Sequence, residues 1–465
     1  MTATGTRAFE VTETGFPADF VWGTATAAYQ IEGGAREGGR GESIWDRYSH
    51  TPGKIADGSN GDVACDAYTR WREDLDLMQR LSYNAYRFSV AWPRVFPAGR
   101  GALNQEGLDY YESLVDGLLA RGIQPFLTLY HWDLPQTLED AGGWVNRDTS
   151  FYFADFAQAV AQRLGDRVGH WITLNEPHIV AYEGYLHGQK APGKQDASLI
   201  APVSHHLLLA HGLAVQALRS VLAPATRVGI TLNVSPIEPA TDREADAEAA
   251  RLLDGLWHRL YLDPLYKGEY PEDARAALAM PDELVRDGDL GVIATATDFL
   301  GVNYYSRTRV RAGNGRGPEP EIAGSKAPKK KRTAVGWEVY PDGLYEVLMR
   351  LHRDYAPPRL YVTESGAAYT DVLTEAGAVH DPARVEYLGE HFLAARRAIA
   401  EGVPLHGYLV WSFMDNFEWQ LGYGPRFGLV YTDYATQRRI PKDSAAFVAE
   451  VAATNGGSLL GPSGG

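Results

Sequence analysis

Eight short apolar runs punctuate the 465-residue chain, at 20–29, 85–92, 124–132, 170–175, 228–234, 298–305, 360–363 and 404–413, each bounded by turn-forming or polar residues. Runs of this length and setting read as strands. Helical periods fill the intervals between them. Ala64, Tyr68, Trp71, Leu75, Met78 and Leu81 form one stripe, and Leu108, Tyr111, Val115 and Leu118 form a second, closed by Gly122. Phe153, Phe156, Val160 and Leu164 form a third, with Asp148 or Thr149 as its cap and Gly165 as its stop. Strand and helix alternating eight times predict a single (β/α)8 barrel over 1–465, with a long doubly wound sheet as the alternative. Segments 1–15 and 455–465 are expected to be flexible tails, and the Gly-, Pro- and Lys-rich stretch 311–333 a long exposed loop.

Composition narrows the function. Apolar residues make up 45% and charged residues 22%, as in a folded globular protein. The net charge of −15 argues against nucleic-acid and anionic-membrane partners, which require a basic surface, and favours a neutral or cationic small molecule. Lys329, Lys330, Lys331 and Arg332 therefore read as a solvated loop rather than a nucleic-acid patch. Cys65 is the lone cysteine, so no intramolecular disulfide forms. With no signal-like start and no apolar run of membrane-spanning length, a cytoplasmic location is expected. The 11 Trp and 26 Tyr exceed what a core needs, and such rings suit the flat faces of sugars.

In a barrel the residues just past each strand line the active site. Glu176 stands there after the fourth run, in Asn175-Glu176-Pro177, and Glu364 after the seventh, in Glu364-Ser365-Gly366. Two carboxylates in one cavity suit glycoside cleavage, where one protonates the leaving oxygen and the other attacks or stabilises the anomeric carbon. Either alone reads equally well as a helix cap. Arg87 lies within an apolar strand, where a buried cation requires an anion such as Glu364. The two-residue strand period puts Asn303 and Tyr305 on one face and Tyr304 on the other, which aims the Tyr305 hydroxyl at the cavity. His131 ends the third run. Taken singly, His131, Trp337, Trp411 and Trp419 are ordinary core residues. His205, His206 and His211 lack the spacing of a helical zinc site, and no phosphate-binding or dinucleotide-binding glycine motif follows the first strand. No metal or cofactor is expected.

Together these residues match a known pattern. Phe20-Val21-Trp22-Gly23-Thr24-Ala25-Thr26, Gln30-Ile31-Glu32-Gly33, Arg87-Phe88-Ser89, Trp92-Pro93-Arg94, His131-Trp132 and Thr173-Leu174-Asn175-Glu176-Pro177 occur in order. Asn303-Tyr304-Tyr305, Thr363-Glu364, Trp411-Ser412 and Asp415-Asn416-Phe417-Glu418-Trp419 follow. From residue 16 to about residue 446 the chain resembles the family 1 glycoside hydrolases, the bacterial β-glucosidases in particular.

The resemblance implies a retaining, cofactor-free mechanism on small β-glycosides or short oligosaccharides, with side activity on β-galactosides and β-fucosides. Glu364 would be the nucleophile and Glu176 the acid/base, their carboxyls about 5 to 5.5 Å apart. Arg87 and Tyr305 would keep Glu364 ionised, while Glu176, facing a negative neighbour, would have a raised pKa. Gln30, His131, Trp132, Asn175, Glu418 and Trp419 would hydrogen-bond the glycone, Trp411 would stack under it, and Trp337 would line the aglycone side. Intact Glu418-Trp419 points to unphosphorylated sugars. Ser365 stands where the family usually has Asn, and is expected to loosen the loop after strand seven. A transglycosylase on the same site and a catalytically silent sugar-binding barrel are the competing readings.

Overall fold

The computed structural model describes residues 10–313 and 315–460. Eight strands, β1 (Val21–Ala25), β2 (Ala85–Ser89), β3 (Gln124–Tyr130), β4 (His170–Asn175), β5 (Arg227–Asn233), β6 (Phe299–Asn303), β7 (Leu360–Ser365) and β8 (Leu405–Trp411), close into one barrel. Every neighbouring pair is parallel, and β1 pairs with both β2 and β8. The barrel therefore has no free edge, which excludes the doubly wound alternative. Parallel strands are covered on both faces, which is why β2, β4, β6 and β7 are buried at every position and show no apolar-polar alternation in sequence.

The outer layer comprises α1 (Ala67–Arg80), α2 (Gln105–Leu119), α3 (Asp148–Leu164), α4 (Ile200–Arg219), α5 (Glu244–Asp254), α6 (Pro341–Tyr355), α7 (Pro382–Ala400) and α8 (Asp443–Ala453). Among the described residues, Ala197–Arg219 is the one helical stretch apolar and long enough to cross a membrane. Its mean hydropathy is 1.3, yet 78% of that apolar window is buried, because it packs into the protein beside α3. Its histidines are hydrogen-bonded core residues. His205 contacts Tyr270 and Asp289, His206 the Trp144 carbonyl, and His211 the Thr173 hydroxyl.

Several boundaries depart from expectation. Ala64 precedes α1 in a left-handed turn, and Asp148 is the first residue of α3 rather than its cap, its N–H donating to Asn146 Oδ1 at 3.0 Å. The stretch 311–333 is not a plain loop. Thr308–Arg311 pairs antiparallel with Glu321–Ala323 and parallel with Ile237–Pro239 in a small accessory sheet, and Lys329–Lys331 form an exposed helical turn. Strands of three and four residues carry too little periodicity to stand out from Gly- and Pro-rich surroundings. Asn314 lies outside the described residues.

Of the expected tails, residues 1–9 and 461–465 lie outside the description, while Asn455, at the start of the second, clamps the barrel base. Asn455 Oδ1 accepts from Trp22 Nε1 at 3.0 Å, and its Nδ2 donates to the Pro17 carbonyl at 2.9 Å. Trp22 is 1% exposed, so removing the acceptor strands a buried N–H. Asn455→Ala is therefore expected to lower unfolding free energy by about 1–3 kcal/mol. Denaturant titration checks this, with activity at low denaturant unchanged.

Candidate active site

The barrel mouth is built around Arg87, which is 0% exposed on β2. Its Nε donates to Thr128 Oγ1 at 3.0 Å, and its Nη2 to Asn175 Oδ1 at 2.6 Å. Its Nη1 reaches the Thr363 carbonyl at 3.2 Å and Glu364 Oε1 at 2.5 Å. The other Glu364 oxygen accepts from the Tyr305 hydroxyl at 2.7 Å. Tyr304 points the opposite way, its hydroxyl on the Tyr340 carbonyl, as the strand period requires.

Glu176 receives different support. Asn303 Nδ2 donates to its Oε1 at 2.6 Å and Asn233 Nδ2 to the same oxygen at 3.1 Å, and no cation among the described residues forms an ion pair with it. Its side chain caps no helix, which removes the capping alternative. Burial raises both acids. On Glu364, the Arg87 charge and the Tyr305 and Arg87 hydrogen bonds pull back against burial. On Glu176, burial and the nearby Glu364 charge push the carboxyl up to about 8, against the Asn303 and Asn233 amides and a smaller pull from the Arg87 charge. A proton shared by the pair therefore resides on Glu176.

A cavity of about 300 Å³ opens over the two acids, between His131, Trp132, Trp411, Glu418 and Trp419. Arg87 fixes the Asn175 amide with Oδ1 toward the guanidinium, so Nδ2 donates to His131 Nε2 at 3.1 Å. His131 is held neutral by burial beside Arg87 and Lys190, and its proton sits on Nδ1, which has no protein partner. Gln30 Nε2 donates to Asn416 Oδ1 and the Phe417 carbonyl, each at 2.9 Å, which leaves its Oε1 unpartnered. Glu418 Oε2 is likewise unpartnered, its carboxyl pushed up to about 7 by burial. Three of the sugar-binding candidates thus offer open valencies in a site otherwise closely hydrogen-bonded. The rings of Trp132 and Trp419 lie 4.7 Å apart, and Trp337 sits 40% exposed at the rim, 5.2 Å from Tyr305.

One assignment needs correction. Trp132 Nε1 donates to the Asn175 carbonyl at 2.9 Å, so Trp132 presents a ring rather than a free N–H. Ser365 is fully buried at the end of β7, its hydroxyl 3.3 Å from that of Tyr387 on α7, and the chain there is tightly packed, not loose. A Cβ on Gly366 would meet the Trp411 carbonyl oxygen at 1.8 Å. Asn233 and Lys190 were not foreseen. Lys190 Nζ lies 5.0 Å from the Trp132 ring centre and donates to Gln420 Oε1 at 3.0 Å.

Two unequally supported carboxyls at the carboxyl end of a (β/α)8 barrel, under an aromatic, hydroxyl-binding cavity, define a barrel glycosidase. Residues 12–457 match the family model for glycosyl hydrolase family 1. Beta-glucosidase A of Thermotoga maritima is 45% identical over 445 residues, 95% of this chain and 98% of that protein. A bifunctional beta-D-glucosidase/beta-D-fucosidase of Bifidobacterium breve is 44% identical over 450 residues, 92% and 96% of the two chains. A solved Thermotoga maritima beta-glucosidase in complex with deoxynojirimycin superposes with a TM-score of 0.90 at 44% identity, covering 95% of this chain and 99% of that one. The chain belongs to glycosyl hydrolase family 1 and is a glycoside hydrolase.

Arg87→Met would leave Glu364 buried without its counter-charge. A loss of about 3–5 kcal/mol in stability is expected, together with a rise in the Glu364 pKa. Denaturation and the acid limb of the pH–rate profile measure the two effects. Gly366→Ala should lower turnover at least tenfold, because either the chain that carries Glu364 or Trp411 must shift; steady-state rates on an aryl glycoside check this.

Proposed function

We propose that the protein is a retaining β-glucosidase that releases terminal β-D-glucosyl residues through a covalent glycosyl-enzyme, with side activity on β-fucosides and β-galactosides. The observation that carries the reading is the unequal support of the two acids: Glu364 lies against Arg87 and Tyr305, whereas Glu176 has only amide donors. Glu364 attacks the anomeric carbon as a carboxylate, and Glu176 gives its proton to the departing oxygen. Bonding of Glu364 to the sugar removes the negative charge that raises Glu176. The Glu176 pKa then falls, and the residue takes a proton from the incoming water.

Asn303 Nδ2 donates to Glu176 Oε1 at 2.6 Å and also helps to lower Glu364, so both acids face the same amide. A retaining mechanism requires their carboxyls about 5–5.5 Å apart. Glucoside specificity is supported by the Thermotoga maritima relative, and tolerance at C4 and C6 by the Bifidobacterium breve one.

Glu364→Ala should abolish turnover of 4-nitrophenyl β-glucoside. Glu176→Ala should turn over good leaving groups slowly and be rescued by azide with formation of the β-glucosyl azide. Formation of the α-azide would reverse the roles. Because Glu176 must be protonated to act as the acid, kcat/KM should fall as pH rises through about 8. An alkaline limb that persists unchanged in Glu176→Gln would assign it to another group.

A further inference from the structure

Behind the segment that carries Glu418 lies a cluster of buried charges that lines no part of the catalytic cavity. Lys442 Nζ donates to Asp415 Oδ1 at 2.7 Å and to Asp371 Oδ2 at 2.5 Å. Arg384 donates to the same Asp371 oxygen at 2.8 Å and pairs with Asp381, and Arg426 donates to Asp415 Oδ2 at 2.6 Å. Three carboxylates thus balance three cations. Every side chain but that of Arg426 is at most 2% exposed, so the charges are answered by one another and not by water. Removing one member leaves its partners uncompensated.

The cluster joins the chain after β7 to the chain after β8. Asp371 lies on the first, as does Ala367, whose carbonyl accepts from Arg384 Nε at 3.2 Å. Asp415 lies on the second, three residues before Glu418. Lys442, directly ahead of α8, is the link, because both carboxylates reach its one ammonium. Without that ammonium two buried carboxylates would face each other, and like charges in a poorly screened interior repel.

The segment that Asp415 opens sets two oxygens of the sugar site. Asn416 Oδ1 and the Phe417 carbonyl both accept from Gln30 Nε2, and the Phe417 N–H returns to the Gln30 carbonyl at 3.2 Å. Gln30 Oε1 is left open, as is Glu418 Oε2 one residue further on. Glu176 and Glu364 are held by other contacts, to Asn303 and Asn233 and to Arg87 and Tyr305. The cluster therefore bears on recognition of the sugar and not on the acids.

Resting on the β-glucosidase reading, we propose that Lys442 is a positioning residue for recognition of the glycone. By holding Asp415 against Asp371 it fixes the open oxygens of Gln30 and Glu418, and so sets how strictly the enzyme distinguishes sugars by the hydroxyls those two residues receive.

The test measures kcat and KM on 4-nitrophenyl β-glucoside and its 3-, 4- and 6-deoxy analogues. In wild type, loss of at least one of these hydroxyls should lower kcat/KM at least tenfold. In Lys442→Met the same loss should cost threefold or less, because the contact is already slack. KM for the parent glucoside should rise at least fivefold, with kcat within threefold of wild type and both limbs of the pH–rate profile in place. Asp371→Asn keeps the shape and an acceptor for Lys442, so it loosens the tie more gently and should reduce the deoxy penalty at least twofold; it decides the matter if Lys442→Met does not fold. A structural role alone would lower the thermal midpoint and leave the deoxy penalty as in wild type, which overturns the inference. Wild type that turns over the glucoside but shows no deoxy penalty overturns it too and leaves the glucosidase reading standing. No turnover of the parent glucoside by wild type overturns both.

Discussion

A guanidinium sealed from water in the barrel mouth sets the terms for everything around it. Arg87 hangs from β2 and bonds to β3 through Thr128, to β4 through Asn175, and to β7 through Thr363 and Glu364. A cation buried this completely demands a counter-charge and an acceptor for each donor, and the strands can satisfy it only in one register. The carboxylate that answers it is Glu364. Glu176 then faces a neighbour whose charge is already secured, and must hold its proton. The unequal hold on the proton of two chemically identical side chains thus descends from one cation placed on one of them.

The strands were legible because burial on both faces leaves them as unbroken apolar runs, and their carboxyl ends were legible as soon as the barrel was. The strand period puts Asn303 and Tyr305 on the cavity face, where the structure has them, and the cost of burying Arg87 points to its partner Glu364. Asn233 ends β5 as Glu364 nears the end of β7, so the same positional rule extends to it. Lys190 sits in a connection without periodicity, and only the folded chain brings it onto Trp132. The use of the Trp132 N–H was hidden for a similar reason: a tryptophan advertises a donor in sequence but not what the donor meets. The accessory sheet escaped notice because its stability comes from contacts outside itself. Val310 packs on Ala249, Ala250 and Leu253 of α5, far away in sequence.

Backbone conformation shows where geometry has been given priority over local comfort. Trp132, Glu176 and Trp419 all adopt left-handed angles, with φ of 79°, 48° and 51°. Each such residue costs of order 1–3 kcal/mol and persists only where its surroundings hold it. All three line the catalytic cavity. For Trp132 the holding contact is the indole bond to the Asn175 carbonyl, the same residue that Arg87 orients. Rigid support from beneath lets the side chains above keep unpartnered polar atoms without collapsing onto one another.

Closure of the barrel has a consequence for how the protein is made. β1 emerges first from the ribosome yet has only β2 beside it until β8, residues 405–411, has been synthesised, and Trp22 waits longer still for Asn455. Trp411, Glu418 and Trp419 come from that same final portion. A nascent chain that carries Glu176 and Glu364 but not yet β8 therefore lacks one wall of the cavity over them and exposes an open sheet edge. A chain that stops short of β8 is thus no weaker version of the enzyme but an unsealed barrel, its first strand left without one neighbour.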